Sequence, residues 1–398
     1  MAQAVASPLV FVPPIGFRPA GTRTLRERAE TTADGTKLTV LSVAAAPDRT
    51  DVLIEWERTG DPATCPPDSK LLVHSNWAPL ENGLAADVAI GTTRLKALWL
   101  GRRSFHLSHG SIGAVDAISF PALPQDADRF ELSLSEGASV WRVPLPLVLG
   151  GQDAASLKSS VERDGVVIRA TALTRHENKL IVEIRVEAPM RIRQVGAPLP
   201  VPQRYSGLSD EDHRERLKEH RRVLGEHVRA ITLEDDRGAR LEEVARLQPI
   251  EPQQPASGQI FMHRFSVVFD ATTGDATRAT LRVPFVDMND PEGSVTADLR
   301  GVPLDLRVGA HQFHVFSAEP VALNRPRVVL EARPSPGTPR FRHPVRMFGA
   351  DPSESSWPGT GVGEQVHFDA TVGDPPVVTF TGAVLRVDGP LGLEITSG

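Results

Sequence analysis

Asp34-Gly35-Thr36-Lys37-Leu38-Thr39-Val40 and Asp164-Gly165-Val166-Val167-Ile168-Arg169-Ala170 are one pattern written twice: a turn dipeptide followed by a run of strand formers. Asp-Gly favours the positive-φ hairpin turns that connect antiparallel strands. The strand after each run repeats too, as Leu53-Ile54-Glu55-Trp56 and Ile181-Val182-Glu183-Ile184, with Glu55 and Glu183 at 21 and 19 residues from their Asp. Farther on, Asp126-Ala127-Asp128-Arg129-Phe130-Glu131-Leu132 echoes Asp275-Ala276-Thr277-Arg278-Ala279-Thr280-Leu281, and Asp374 to Phe380 gives a fainter third copy. Opening Asp to closing Asp spans 92 residues in the first unit and 111 in the second, a surplus of 19. Repeats of this length are duplicated domains, not the short units of a solenoid.

Outward from the repeat, the chain alternates with period two. Val52, Ile54 and Trp56 alternate with Leu53, Glu55 and Glu57, and Trp141, Val143 and Leu145 with Arg142 and Pro144. Such alternation describes half-buried antiparallel strands. Asn82-Gly83, Arg237-Gly238 and Asp388-Gly389 add turn signals. The 34 prolines and 32 glycines are about one residue in six, below low-complexity levels and suited to a turn-rich chain. The expectation is a mainly β protein of three tandem antiparallel sandwiches: an extended segment over 1–22, then sandwiches over 23–150, 151–308 and 309–398.

The 19-residue surplus has the length of one helix, expected over 208–229 inside the second sandwich. Pro198 to Pro202 lead to Ser209 as N-cap, and Asp210, Glu211 and Asp212 occupy the first turn, where the helix dipole favours acids. Its seam is His213, Leu217, His220, Leu224 and His227, spaced 4-3-4-3. Seven residues of helix rise ~10.5 Å, so no two of these histidines share one ion. Packing against the sandwich, a protonation-sensitive contact and a metal site stay open for them.

Composition narrows function by subtraction. A net charge of −6 gives no basic footprint for nucleic acid or anionic lipid. The single Cys65 forms no intrachain disulfide and no thiolate zinc cluster. No run reaches ~18 apolar residues, and the first 22 residues carry one charge, Arg18, without the build of a signal peptide. A cytoplasmic or otherwise soluble protein is expected, with export left open.

Motifs for chemistry are sparse. A Gly-x-Ser-x-Gly elbow is absent. Gly359 to Gly363 is glycine-rich but does not open a helix after a strand. His106 and His109, like His311 and His314, are three apart and face opposite sides of a strand. Asp287, Asn289, Asp290 and Glu292 carry oxygens that suit calcium, yet miss the loop spacing and read as a turn. Glu234 to Gly238 reads as a charged hairpin. Trp56 and Trp141 fall in core phase, whereas Trp77 and Trp357 lie in loop-like sequence, as interface anchors or as plugs of their own sandwiches. The basic stretch Arg333 to Arg346 reads as solvated loop.

The Asp-Gly strand starts, the hydrophobic-x-Glu-x strands and the Leu233-Glu234-Asp235-Asp236-Arg237-Gly238 hairpin resemble the tandem immunoglobulin-like sandwiches in ectodomains of bacterial anti-sigma-factor-type regulators. The resemblance covers about 280 residues. It implies architecture and a binding role; the membrane span and sigma-binding helix of that family have no counterpart here. The expected function is a non-catalytic binding or scaffold component, without cofactor or metal, whose partner is another protein met through Trp77, Trp357, His213, His220 and His227. The alternative is carbohydrate binding or glycoside chemistry in an inter-domain cleft, around Trp357, Asp351, Glu354 and His343.

Overall fold

The computed structural model describes residues 8–59, 73–79, 84–108, 111–196, 230–235, 238–247, 255–256, 260–270, 278–322, 325–331, 341–348, 355–356, 365–369 and 376–396. For 58–59, 73–79, 102–108, 111–112, 255–256 and 316–369 the description is of backbone alone. The fold is mainly β with antiparallel sheets. The helix expected over 208–229 lies outside the described residues. No helix among the described residues is long and apolar enough to cross a membrane.

The chain opens with a hairpin, β1 (Leu9–Val12) and β2 (Gly16–Pro19). The first unit comes next: β3 (Arg23–Leu25), β4 (Ala29–Ala33), β5 (Thr36–Ala45), β6 (Arg49–Thr59), β7 (Val73–Pro79), β8 (Leu84–Ile90), β9 (Thr93–Lys96), β10 (Trp99–Ser108), β11 (Ser111–Pro121), β12 (Arg129–Glu136) and β13 (Ser139–Leu149). Its core is filled from two sides. Leu38, Val40, Val52, Ile54 and Ile118 come from β5, β6 and β11; Val88, Leu132, Leu134, Val143 and Leu145 come from β8, β12 and β13. The short β3 pairs with both β5 and β13, so the two layers join along one edge. The β4–β5 turn puts Asp34 at φ +49° and Gly35 at +72°, which is the conformation Asp-Gly favours.

The second unit repeats the plan. β14 (Gln152–Arg163), β15 (Val166–His176) and β16 (Lys179–Ala188) match β4, β5 and β6, and their turn has Asp164 at φ +54° and Gly165 at +78°. A bulge recurs as well. Leu41 is the extra residue between Val40 and Ser42, and Thr171 the extra residue between Ala170 and Ala172, each seven positions beyond its Asp. The unit continues with β17 (Arg191–Val195), β18 (Thr232–Asp235), β19 (Arg240–Leu247), β20 (Pro255–Ala256), β21 (Ile260–Asp270) and the 21-residue β22 (Arg278–Asp298). Val182, Ile184, Phe265 and Val267 face Leu233, Leu281, Val283 and Met288 across its core.

A one-turn 3-10 helix at Leu299–Gly301 leads to β23 (Leu304–Val308), β24 (His311–Ala322), β25 (Arg325–Glu331), β26 (Phe341–Phe348), β27 (Ser355–Ser356), β28 (Gln365–Asp369) and β29 (Val377–Thr396). β22 and β29 run side by side from Arg278↔Thr396 to Asp298↔Val377. One half of this ribbon, with Val378, Phe380 and Leu385, packs in a third core around Val308, Phe313 and Val315. The other half, with Val387, Leu391, Leu393 and Ile395, lies in the core of the second unit. The third unit is therefore inserted between two strands of the second, which corrects a boundary at 308 with everything beyond it in a third sandwich. Asp388-Gly389 is not a turn either. It lies inside β29, where a Cβ on Gly389 would sit 2.4 Å from the Val283 carbonyl oxygen, so glycine serves close backbone approach there.

The N-terminal hairpin is not merely extended. Val10, Val12 and Ile15 pack with Ala44, Leu53 and Ala117 on the outer face of the first unit. Phe11 and Phe17 pack with Ala172, Ile181 and Val268 on the outer face of the second. Alternation along β1 thus sends successive side chains into two different domains. The hairpin also adds a strand to the second unit through Leu9↔Ala154 and Phe11↔Gln152.

Candidate functional site

The 33 positions 197–229, which hold the histidine seam, lie outside the described residues, between Val195-Gly196 and Ala230-Ile231. The described residues near these two flanks form a polar-aromatic cluster on β19 and β21. Arg246 grips Glu243 with both ends of its guanidinium (Nε–Oε1 and Nη2–Oε2, each 2.7 Å) and donates from Nη1 to the Val195 carbonyl at 2.7 Å. The Glu243 amide donates to the Ile231 carbonyl at 3.2 Å. The ion pair, 3% exposed at the acid and 7% at the arginine, therefore touches the flank at Val195, while the flank at Ile231 is held by the backbone ladder of β18 and β19.

Aromatic packing completes this cluster. The Arg246 guanidinium lies 4.7 Å from the centre of the Phe265 ring, and the His263 ring packs on Phe265 at 5.2 Å and 30°. Burial, with the Arg246 charge as a smaller cause, pushes the His263 pKa down to about 4, so the imidazole is neutral at physiological pH. The arrangement anchors Val195 and Ile231 on β19; neutral His263 and the paired Glu243 are structural partners in it.

Sequence alternation misses this cluster for a definite reason. Glu243 and Arg246 are three apart and would face opposite sides of a regular strand. A register shift between Glu243 and Ala245 brings them to one side.

A second concavity opens at one end of the first unit. Trp56 and Trp141 line it together with Leu38, Ile54, Leu84 and Leu134, and Thr36 and Glu136 contribute polar groups; it is a shallow dent with room for little more than a water. The indole of Trp56 donates to Asp116 Oδ2 at 2.8 Å and that of Trp141 to the Thr36 carbonyl at 3.3 Å. Both rings are thus fixed with their polar edges occupied, and Trp141 is part of the first unit's core, as its sequence phase implies.

Of the residues singled out from sequence, His213, His220, His227, Trp357, Asp351 and Glu354 lie outside the described residues. Trp77 is in β7 and His343 in β26, as backbone positions. His311 and His314 meet separate acids, Asp290 at 3.3 Å and Asp305 at 2.9 Å. The Asp287–Glu292 stretch is not a turn between strands but part of β22, with a bulge between Asp290 and Ser294. Arg386 takes both Asp287 oxygens at 2.7 and 2.9 Å, which removes that carboxylate from any calcium set. Among the described residues no group of three or more His, Cys, Asp or Glu is placed to hold a metal. On either side of 236–237, which lie outside the described residues, β18 and β19 pair antiparallel, and the Asp235 side chain accepts from the Ala239 amide at 2.7 Å.

No family model matches the chain. No curated protein matches it either. Among solved structures, the conserved domain protein from Bacillus anthracis is similar at a TM-score of 0.33 and 9% identity, over 68% of this chain and 81% of that one.

The remaining buried acids are engaged in holding strands. Asp51 accepts from Arg18, Arg49 and Ser119, and Glu183 from Thr171 and Arg264. All of these donors except Arg49 lie on strands other than that of the acid they serve, so the pairs tie elements together.

Proposed function

We propose that the protein is a non-catalytic binding or scaffold component: a β frame of immunoglobulin-like sandwiches that presents the 197–229 insertion, with its expected helix, to another protein. The observation that carries this reading is that both flanks of 197–229 are anchored in the second unit, Val195 by Arg246 of the buried Glu243–Arg246 pair and Ile231 by the backbone ladder of β18 and β19. Anchored flanks fix where the two ends of a connecting segment lie, which lowers the ordering cost of binding. The charge of −6 favours a protein surface over nucleic acid as the partner. The resemblance to anti-sigma-factor-type ectodomains supports immunoglobulin-like sandwiches and the binding role. Affinity purification from intact lysate, comparing the full chain with a deletion of 208–228, tests the reading. Loss of specific partners on deletion supports it, and identical partner lists refute the insertion as the recognition element.

A further inference from the structure

The hairpin β1–β2 sits where the first and second units meet, and three separate features converge on it. The first is the two-sided packing, in which Val10 and Val12 belong to one domain's outer face and Phe11 to the other's. The second is charge. Arg18, 5% exposed, donates from Nε to Asp51 of the first unit at 3.0 Å and from Nη1 to the Phe17 carbonyl at 2.7 Å. From the second unit, Arg264 pairs with Glu183 and reaches the same Phe17 carbonyl at 3.4 Å. One backbone oxygen of the hairpin thus receives an arginine of its own strand and an arginine of the neighbouring domain. Ser42 of the first unit adds a bond to the Pro13 carbonyl at 2.8 Å.

The third feature is the connection itself. Gly150-Gly151 links β13 to β14 and is the kind of sequence that swivels freely. Here it does not have the room. A Cβ on Gly150 would lie 2.0 Å from the Thr24 hydroxyl, and one on Gly151, at φ +96°, would lie 2.8 Å from Val10 Cγ2 and 3.3 Å from the Phe11 carbonyl oxygen. Glycine lets the crossing press against β3 at Gly150 and against β1 at Gly151, so the hairpin covers the linker at Gly151 as well as the two faces.

We propose that the β1–β2 hairpin is a lock on the hinge between the first and second units, fixing their relative orientation while it is seated and freeing the Gly150-Gly151 crossing when it is not. The two units carry complete cores of their own, so unseating the hairpin separates their motions without dissolving either. The consequence goes beyond a binding role: whatever displaces the hairpin changes the geometry of every surface the frame presents.

The test uses the full chain with Cys65→Ser, spin labels attached at Lys37→Cys in the first unit and Glu394→Cys in the second, and pulsed electron-electron distance measurement. Two further forms are compared: deletion of residues 1–21, and the triple substitution Val12→Ser, Phe17→Ser, Arg18→Ser, each checked for retained β structure by circular dichroism. The lock predicts one narrow distance distribution in the parent and a distribution at least about twofold broader in both altered forms. Should the deletion fail to fold, the triple substitution decides. An unchanged narrow distribution without a seated hairpin, or a broad one in the parent, overturns the proposal.

Discussion

Leu41 and Thr171 hold the same post in two different units: each is the extra residue of a bulge seven positions past the Asp of an Asp-Gly turn. The bulge re-aims the side chains beside it. Val40 and Ala170 face their cores, whereas Leu41, Thr171 and Ala172 face the junction, where Leu41 packs beside the hairpin's Val10 and Val12 and Thr171 bonds Glu183. The duplicated sequence has therefore duplicated a device that gives each unit an outer face, and the two outer faces meet across the N-terminal hairpin.

Arg18→Met removes one cation from a buried carboxylate. Asp51 has no exposed surface and keeps Arg49 at 3.0 Å and Ser119 at 2.6 Å. The loss should fall at the low end for a broken buried pair, about 3 kcal/mol by urea unfolding. A change below about 0.5 kcal/mol would show that Arg49 and Ser119 suffice without the hairpin.

Gly389→Ala and Gly392→Ala separate close approach from mere strand propensity. The first Cβ would meet the Val283 and Pro284 carbonyl oxygens at 2.4 and 2.5 Å; the second would touch only Thr280 Cγ2 at 3.7 Å. The expected cost is about 1–3 kcal/mol or more at 389 and within about 0.5 kcal/mol at 392. Equal melting temperatures for the two variants would contradict the packing of the ribbon.

These positions also show what the sequence makes legible. Asp34-Gly35 and Asp164-Gly165 are readable because their backbone conformation is dictated by the dipeptide itself, and alternation is readable because burial on one face enforces period two. Asp388-Gly389 carries the same dipeptide, but its glycine answers to a neighbouring strand 105 residues away at Pro284, and no local pattern records that. Glu243 and Arg246 stay hidden because a bulge breaks the period between them. Asp287 and Asn289 look like a turn by composition and become strand by pairing with β17 and β29. Long-range pairing also decides that Val387 to Ile395 close the second core, which no tandem reading of the repeats anticipates.

His263 gives the protein a pH dependence of known sign. Its folded pKa is depressed from 6.5 to about 4, so above pH 6.5 both states are neutral and the group contributes no pH dependence. Between 6.5 and 4 the unfolded chain binds a proton that the folded chain refuses, and stability falls as pH falls, by about 3 kcal/mol across the window. Urea unfolding of the parent and of His263→Phe at about pH 7 and about pH 4.5 isolates this part. The variant should lose less stability than the parent on acidification, and parallel losses would remove His263 as the cause.

Leu391→Ala tests the closing strand of the second unit. Leu391 is fully buried among Val283, Leu281 and Leu393. The substitution should cost about 2–5 kcal/mol, and it should destabilise the second unit's transition rather than the third's. Melting followed by a probe in each unit distinguishes the two.

Both ends of the described chain are built into the frame, β1 between two units and the Val387–Ile395 half of β29 inside the second core. Hydrogen exchange of backbone amides in the full chain measures this without any substitution. The amides of Val10 and Val12 and those of Val387, Leu391 and Leu393 should exchange as slowly as Val182, Ile184 and Val186 in the centre of the second unit. Exchange of the Val387–Ile395 amides in step with Val378 and Phe380 of the third unit, or rapid loss of protection in β1, would contradict this architecture.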